Sequence, residues 1–218
     1  MRINERMNRE VITISRNDTL ETAMKTMRDK GIRHLPVLDR GKLIGILSLS
    51  DVRRAMPSQI STLDVHEATY LFDRVKVKDA LPEHQKLITI CSDDFIEEAA
   101  LLMRSYKIGA LPVVDDGGAL VGIVTESNIF DAFVELLGVR SSGSRLSLEV
   151  ANKPGSLAEV TDIINKFDVN IVRIAMFPPG DGALYETVIR LDTGEIDPIV
   201  EMLRLHGFKV LSAKSYAR

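Results

Sequence analysis

The chain has 218 residues, 45% of them hydrophobic and 27% charged, with a formal net charge of -3. That is the make-up of a globular chain with room for one or two domains with real cores. Lysines and arginines are interspersed with acids, so there is no electrostatic case for nucleic acid or an anionic membrane. Arg53-Arg54 is too short a basic run to matter and reads as a solvated helix face. No stretch approaches the roughly 18 consecutive apolar residues of a membrane span. Cys91 is the only cysteine, which rules out an internal disulfide and fits a reducing compartment. Met1 to Arg6 opens no apolar signal region. The expected location is the cytoplasm.

In chain order, Val11–Ile14 is a short β-branched run and reads as a strand. Asn17-Asp18 supplies polar caps for an amphipathic helix carrying Leu20, Ala23, Met24 and Met27. Two apolar strands follow, the first holding Leu35-Pro36-Val37, and a closing helix is predicted to begin near Asp51. The same series then recurs, with residues 7–56 matching 81–133. Leu87–Ile90 is the strand and Asp93-Asp94 the caps. Ile96, Ala99, Ala100 and Met103 form the stripe, and Leu111-Pro112-Val113 repeats Leu35-Pro36-Val37. The turn Asp115-Asp116-Gly117-Gly118 is one residue longer than its counterpart, which a turn accepts and a strand does not. A β-α-β-β-α unit of about 50 residues buries too little surface to stand alone, so two copies should pair. The second closing helix, beginning near Asn128, carries the apolar stripe Ile129, Phe130, Phe133, Val134 and Leu137.

Residues 57–78 part the copies; Ser61-Thr62-Leu63-Asp64 looks like a helix start, so a connecting helix is expected. Ser141-Ser142-Gly143-Ser144 is a flexible linker by composition. Beyond it the expected order is a strand from Arg145 to Val150 and a helix from Ser156 to Phe167. A hairpin of Ile171–Phe177 with Leu184–Leu191 follows around the turn Pro178–Gly182. A helix through Ile196, Ile199, Val200 and Leu203 stops at Gly207, and Phe208–Ser212 is a last strand. The order β-α-β-β-α-β is ferredoxin-like.

The repeats share Gly45-Ile46-Leu47-Ser48-Leu49-Ser50-Asp51 and Gly122-Ile123-Val124-Thr125-Glu126-Ser127-Asn128. With the Leu-Pro-Val strand and its spacing, this Gly-x-x-Ser/Thr-x-x-Asp element resembles the CBS (cystathionine-β-synthase-like) domain, over nearly all of residues 5–138. Copies of that domain pair into a Bateman module that binds adenine nucleotides. The rest, 144–218, resembles an ACT domain, through Asn152-Lys153-Pro154-Gly155-Ser156-Leu157-Ala158-Glu159-Val160 and Asn170-Ile171. Tandem CBS domains followed by ACT are similar to the bacterial acetoin-utilisation regulatory proteins. The implied fold class is α/β (α+β): two CBS repeats as a pseudo-twofold pair plus a ferredoxin-like ACT domain. The implied domains are 1–60 and 79–138 for the repeats, 61–78 and 139–144 for the connections, and 145–218 for ACT.

The resemblance implies that Ser48 donates to a nucleotide phosphate, that Asp51 accepts from ribose, and that adenine lies against Ile32, Arg33 and His34. The second copy offers Thr125 and Asn128, with Ile108, Gly109 and Ala110 at the adenine wall. Asn128 departs from the family's acid and lacks its charge, so unequal sites are expected, the first tighter. Ser48-x-x-Asp51 is also close to a capping box, which stabilises a helix start with no ligand. In the ACT-like part, Asn152, Gly155, Ser156 and Leu157 are candidates for an amino-acid site, although Ser156-Leu157-Ala158-Glu159 reads as a full capping box and a ligand-free dimer contact is an equal alternative.

His34, His66, His84 and His206 lack paired ligand spacing, so no metal site is expected. His34 reads as a pocket-wall residue, Cys91 as a small buried thiol, and Met24, Met27 and Met103 as core. No P-loop, Gly-x-Ser-x-Gly elbow or His-Glu-x-x-His motif occurs. The expected function is a non-enzymatic, homodimeric sensor of AMP, ADP or ATP, less readily S-adenosylmethionine, read by a target protein. The nucleotide is a regulatory ligand, no catalytic cofactor is expected, and no catalytic residue is assigned. The alternatives are a ligand-free scaffolding adaptor and an amino-acid sensor acting through the ACT domain.

Overall fold

The structure, a computed structural model, describes residues 1–55, 75–81, 86–139, 142–178 and 184–216. The chain divides into two compact units, Met1–Ala132 and Phe133–Arg218. The first holds both repeats. Strand β1 (Ile14–Ser15) leads to helix α1 (Leu20–Lys30), then β2 (His34–Asp39), β3 (Lys42–Ser48) and helix α2 (Leu49–Ala55). After helix α3 (Val77–Ala80) the series returns as β4 (Ile90–Cys91), α4 (Ile96–Tyr106), β5 (Ala110–Val114), β6 (Leu120–Thr125) and α5 (Glu126–Leu136). Each repeat makes a three-stranded sheet, β1-β2-β3 or β4-β5-β6, with a parallel first pair and an antiparallel second pair.

The repetition extends to irregularities. In both antiparallel pairs the register slips at the same point, between Val37 and Leu38 and between Val113 and Val114. The β2–β3 turn places Arg40 and Gly41 at φ 48° and 80°, as a two-residue hairpin turn with matching twist requires. In the longer second turn the Asp115 carboxylate accepts from the amides of Gly117 and Ala119. Met27 and Met103 are buried core residues, and Met24 packs beside them in the first repeat.

Each repeat is completed by the segment that precedes the other one. Ile3 and Met7 lie in the core of the second repeat, against Ile96, Ala99 and Val124. The Ile3 amide donates to the Asp94 carbonyl at 2.9 Å, and Asn8 forms an antiparallel bridge with Ile123. The first repeat receives residues 75–81 in the same manner. Val77 is buried among Leu20, Leu35 and Leu47, and its amide donates to the Asp18 carbonyl at 2.9 Å. Between the repeats, Ile46, Ala110 and Ile123 form a small buried cluster with Val11 beside it. The two β-sheets are therefore joined by an apolar seam and by two crossed segments. The connecting helix expected from Ser61 onward falls largely on residues 56–74, outside the described residues.

Several local expectations are corrected. The helix N-caps are Thr19 and Phe95, not the Asn17-Asp18 and Asp93-Asp94 pairs. Asp18 and Asp94 instead accept from the amides of Ser15 and Cys91, closing the turn at each strand exit. The closing helices start at Leu49 and Glu126, two residues before Asp51 and Asn128, because those side chains reach back to cap from within the first turn. Strands β1 and β4 are only two residues long, and the alternation of strand faces buries Ile90 and exposes Cys91. The thiol is thus exposed, against the expected buried one.

The second unit is a four-stranded antiparallel sheet with two helices. Its elements are β7 (Gly143–Ala151), α6 (Ser156–Asn165), β8 (Ile171–Phe177), β9 (Leu184–Leu191), α7 (Asp197–Leu205) and β10 (Val210–Tyr216). The order β10-β7-β9-β8 is that of a ferredoxin-like sheet. The helices bury Val160, Ile163, Ile164, Ile199, Val200 and Leu203 against Leu146, Leu148, Val150, Ile189 and Leu191. At about 1.5–3 kcal/mol for each large apolar side chain, this core is the main stabilising term of the unit. Gly143 and Ser144, read as linker from composition, belong to β7 and are buried. Gly143 has φ 107°, and a Cβ there would run into the Leu191 carbonyl, so only glycine fits. Within this unit, which begins at Phe133, Arg173 Nε donates to the Glu135 carbonyl and Arg190 Nε to the Leu137 carbonyl, at 2.9 and 3.0 Å. Among the described residues no helix is long and apolar enough to cross a membrane.

Candidate functional site

At the end of each β-hairpin, the residue before the inner strand is tied to the first residue of the closing helix. The Leu49 amide donates to the Arg33 carbonyl at 2.9 Å, and the Glu126 amide to the Gly109 carbonyl at 3.1 Å. This pairing sets residues 32–34 beside Ser48 and residues 108–110 beside Thr125. The seam between the repeats then brings the two sets together.

The resulting cavity, of about 530 Å³, lies between the repeats. From the first repeat it takes Ile12, Gly31, Ile32, Arg33 and His34. The second supplies Gly109, Thr125, Glu126, Ser127 and Asn128, and the crossing segment before β1 adds Asn8 and Glu10. A smaller notch of about 360 Å³ is lined by Arg33, His34, Ser48, Leu49, Ser50 and Arg53. The wall at Ile32–His34, expected to serve Ser48 and Asp51, thus faces Thr125 and Asn128 in the larger cavity. Arg33 and His34 border both spaces. Ala110 is buried in the seam and Ile108 packs against the second core, so neither lines these spaces.

The paired polar residues are engaged with each other. Asp51 Oδ2 accepts from the Ser48 amide at 2.9 Å and from its hydroxyl at 2.5 Å, and the Ser48 Oγ in turn accepts from the Asp51 amide at 3.2 Å. This is the reciprocal cap of a helix start. Its second carboxylate oxygen lies 3.4 Å from Arg54, and only 11% of the side chain is exposed. In the second repeat, Asn128 Oδ1 accepts from the Thr125 amide at 2.8 Å and from its hydroxyl at 2.7 Å. With that oxygen occupied, what Asn128 can add toward a ligand is its carboxamide nitrogen, a donor. Both hydroxyls therefore point their protons at the cap. Ser48 Oγ also accepts from the Asp51 amide and lies 2.7 Å from Ser50 Oγ, so it has less to offer a ligand than Thr125 Oγ1.

His34 is the hinge of the arrangement. A Cβ on Gly109 would sit 3.2 Å from the His34 ring and 3.5 Å from a Glu126 carboxylate oxygen, so the missing side chain gives the imidazole its place. Burial lowers the His34 pKa from its ordinary 6.5, against the carboxylates of Glu126 and Asp51, which raise it; Arg33 lowers it further. The ring is neutral at pH 7. Among the described residues no three His, Cys, Asp or Glu side chains gather as a metal site would need.

In the second unit, Gly155 is the N-cap of α6 at φ 87°, and Ser156 lies one position inside the helix. The expected capping box from Ser156 to Glu159 does not form. The left-handed turn at Gly155 carries the Ser156 hydroxyl inward, where it is buried and makes no hydrogen bond among the described residues. Asn152, Lys153 and Pro154 lead into this turn, with the Ser156 amide donating to the Lys153 carbonyl at 3.3 Å.

Asn8, Ile12, Gly31, Ile123 and Ser127 line the cavity without having been expected there, and so do two acids, Glu10 and Glu126. Glu126 stands inside the repeated motif at the position of Leu49, so comparing the two motifs residue by residue would have exposed it.

Comparison with known proteins agrees with this architecture. The CBS domain profile matches residues 3–58 and 77–135, and the ACT domain profile matches residues 144–205. An inosine-5′-monophosphate dehydrogenase of Korarchaeum cryptofilum is 31% identical over 78% of this chain, which spans only 32% of that enzyme. A Vibrio cholerae protein assigned to acetoin utilization, AcuB, superposes with a TM-score of 0.52 at 29% identity, over 64% of this chain and 95% of its own. The CBS domain pair of protein MJ0100, solved in complex with 5′-methylthioadenosine and S-adenosyl-L-methionine, superposes with a TM-score of 0.51 at 25% identity, over 65% of this chain and 98% of its own.

Proposed function

We propose, for a chain that belongs to the CBS-domain family and ends in an ACT domain, a regulatory sensor that binds an adenosine-containing ligand and does no chemistry of its own. The observation that carries this reading is the cavity between the repeats, whose volume of about 530 Å³ is that of a small-molecule site. Ile12, Ile32 and Ile123 offer apolar surface to a purine, while Thr125, Asn128 and Asn8 offer groups to a ribose. The likeness to the MJ0100 pair supports an adenosyl ligand. Because the larger volume lies at Thr125–Asn128, that site is the principal one and the Ser48 notch the lesser, which reverses the order expected from the carboxylate of Asp51.

Ligand seated there touches both repeats at once, and so favours whichever packing of the pair fits it best. A target protein reads that difference, and the likeness to the Vibrio cholerae protein supports a place in acetoin metabolism. Phe130 and Leu101, 71% and 65% exposed, support self-association of the chain as a dimer. A ligand at 100 times its Kd adds about 2.7 kcal/mol of stability, or roughly 5–10 °C in a chain of this size. Melting the full chain with adenosine, 5′-methylthioadenosine, AMP and ATP, with guanosine as control, tests the reading. The shift should vanish in Asn128→Ala. A melt that no adenosine compound moves refutes the reading and leaves the scaffolding adaptor and the amino-acid sensor.

The ACT unit supports a second reading. The buried Ser156 hydroxyl without a partner, behind the open turn at Gly155, is what an amino-acid ligand reaching the start of α6 would satisfy. A melt moved by an amino acid in the native chain and unmoved in Ser156→Ala is the expected outcome. Unchanged melts across all twenty amino acids refute it.

A further inference from the structure

The charge around the larger cavity does not suit a phosphate chain. Its ionisable lining residues among those described are Glu10, Glu126, Arg33 and His34. Burial keeps the imidazole neutral at pH 7, so two formal negative charges stand against one positive. The start of α5 adds about half a positive charge, but this falls off within the first turn, where Glu126 itself sits. The pseudo-equivalent positions in the other repeat carry the opposite tendency. Lys86 stands where Glu10 does, Leu49 stands where Glu126 does, and the smaller notch is lined by Arg33 and Arg53 with no acid among its described lining residues. The sequence repeats, and its charge does not.

We infer that the cavity at Thr125–Asn128 takes an adenosyl ligand whose 5′ substituent is neutral or cationic, a thioether or a sulfonium, and discriminates against a triphosphate. This rests on the reading of the cavity as an adenosine site. Glu10 and Glu126 are the specificity-determining residues. Both are exposed, so their replacement leaves the fold intact.

The test is calorimetric competition on the full chain in magnesium-free buffer. Bound 5′-methylthioadenosine is displaced by S-adenosylmethionine, AMP or ATP, in the native chain and in Glu10→Gln/Glu126→Gln. S-adenosylmethionine should compete at least about tenfold better than ATP, with AMP between them. The double variant should narrow that gap by improving ATP and weakening the sulfonium, with the neutral thioether little changed. ATP competing as well as S-adenosylmethionine, or a gap the double variant does not alter, overturns the inference while leaving the adenosine site standing. If none of the four compounds binds either protein, the adenosine reading itself fails.

Discussion

Replacing Gly122 by alanine drives a methyl group into the sulfur of Met7. The Cβ would also stand 3.0 Å from Met7 Cγ and 3.3 Å from the Asn8 carbonyl oxygen. The thioether can turn aside, but the Asn8 carbonyl is held by its bridge to Ile123 and cannot follow. Overpacking of this kind costs about 1–3 kcal/mol. In a chain of this size that is roughly 2–12 °C of melting temperature. Gly45 is the pseudo-equivalent position, yet its Cβ would meet only the Leu81 side chain, at 3.3 and 3.4 Å. There the added methyl is nearly balanced by the gain of about 0.5–1 kcal/mol from removing a glycine within a strand. Urea titrations of Gly122→Ala, Gly45→Ala, Met7→Ala and Met7→Ala/Gly122→Ala give the comparison. The double variant should be more stable than the sum of its parts by about 0.5–3 kcal/mol, because the small residue at position 7 makes room. Equal losses at the two glycines, or a strictly additive cycle, would show that the segment before the first repeat does not lie on β6.

Three further outcomes are expected. Cys91 should react with a thiol reagent in the folded chain, one equivalent per chain without denaturant, because its side is the exposed face of β4. Arg190→Met should lose about 1–3 kcal/mol in chemical denaturation by leaving the Leu137 carbonyl without its donor, and Arg190→Lys should recover little, since an ammonium lacks the planar fork that also lies 5.2 Å over the Tyr216 ring. The folded chain holds the His34 pKa below 6.5, so on acidification the unfolded chain takes up that proton first. Its contribution is therefore complete above pH 6.5 and is lost as pH falls below it; the urea midpoint should drop less in His34→Gln than in the native chain between about pH 7.5 and 5.5. An identical drop in both proteins contradicts the assignment.

The repeats were legible because their helices and strands carry apolar residues at fixed periods, and because Leu35-Pro36-Val37 and its echo fix the alignment. The ferredoxin-like order was legible for the same reason, down to the hairpin Ile171–Phe177 with Leu184–Leu191. The crossed segments were not. Arg2-Ile3-Asn4-Glu5 and Lys76-Val77-Lys78-Asp79 share a basic, apolar, polar, acidic pattern, but each forms a single turn, too short to show a period. Nor could periodicity say which walls meet across the seam, since that depends on pairing through space. Residues 32–34 and the Thr125–Asn128 motif come together only once Ile46 and Ile123 are packed. Ser156 misled for a different reason, because the glycine before it adopts a left-handed turn and takes over the capping position. The cap at Ser48 and Asp51 was visible in sequence, and it occupies the very atoms a ligand was expected to use.

Because Ile3 and Val77 each anchor in the half they do not precede, neither half of the first unit is a separable part. A fragment spanning residues 9–55 would lack the stretch that seals its own core, and removing the first eight residues would open the far half while leaving the near one covered. The module is a clasp whose two tongues must be withdrawn before its plates can part, so its halves are expected to unfold together.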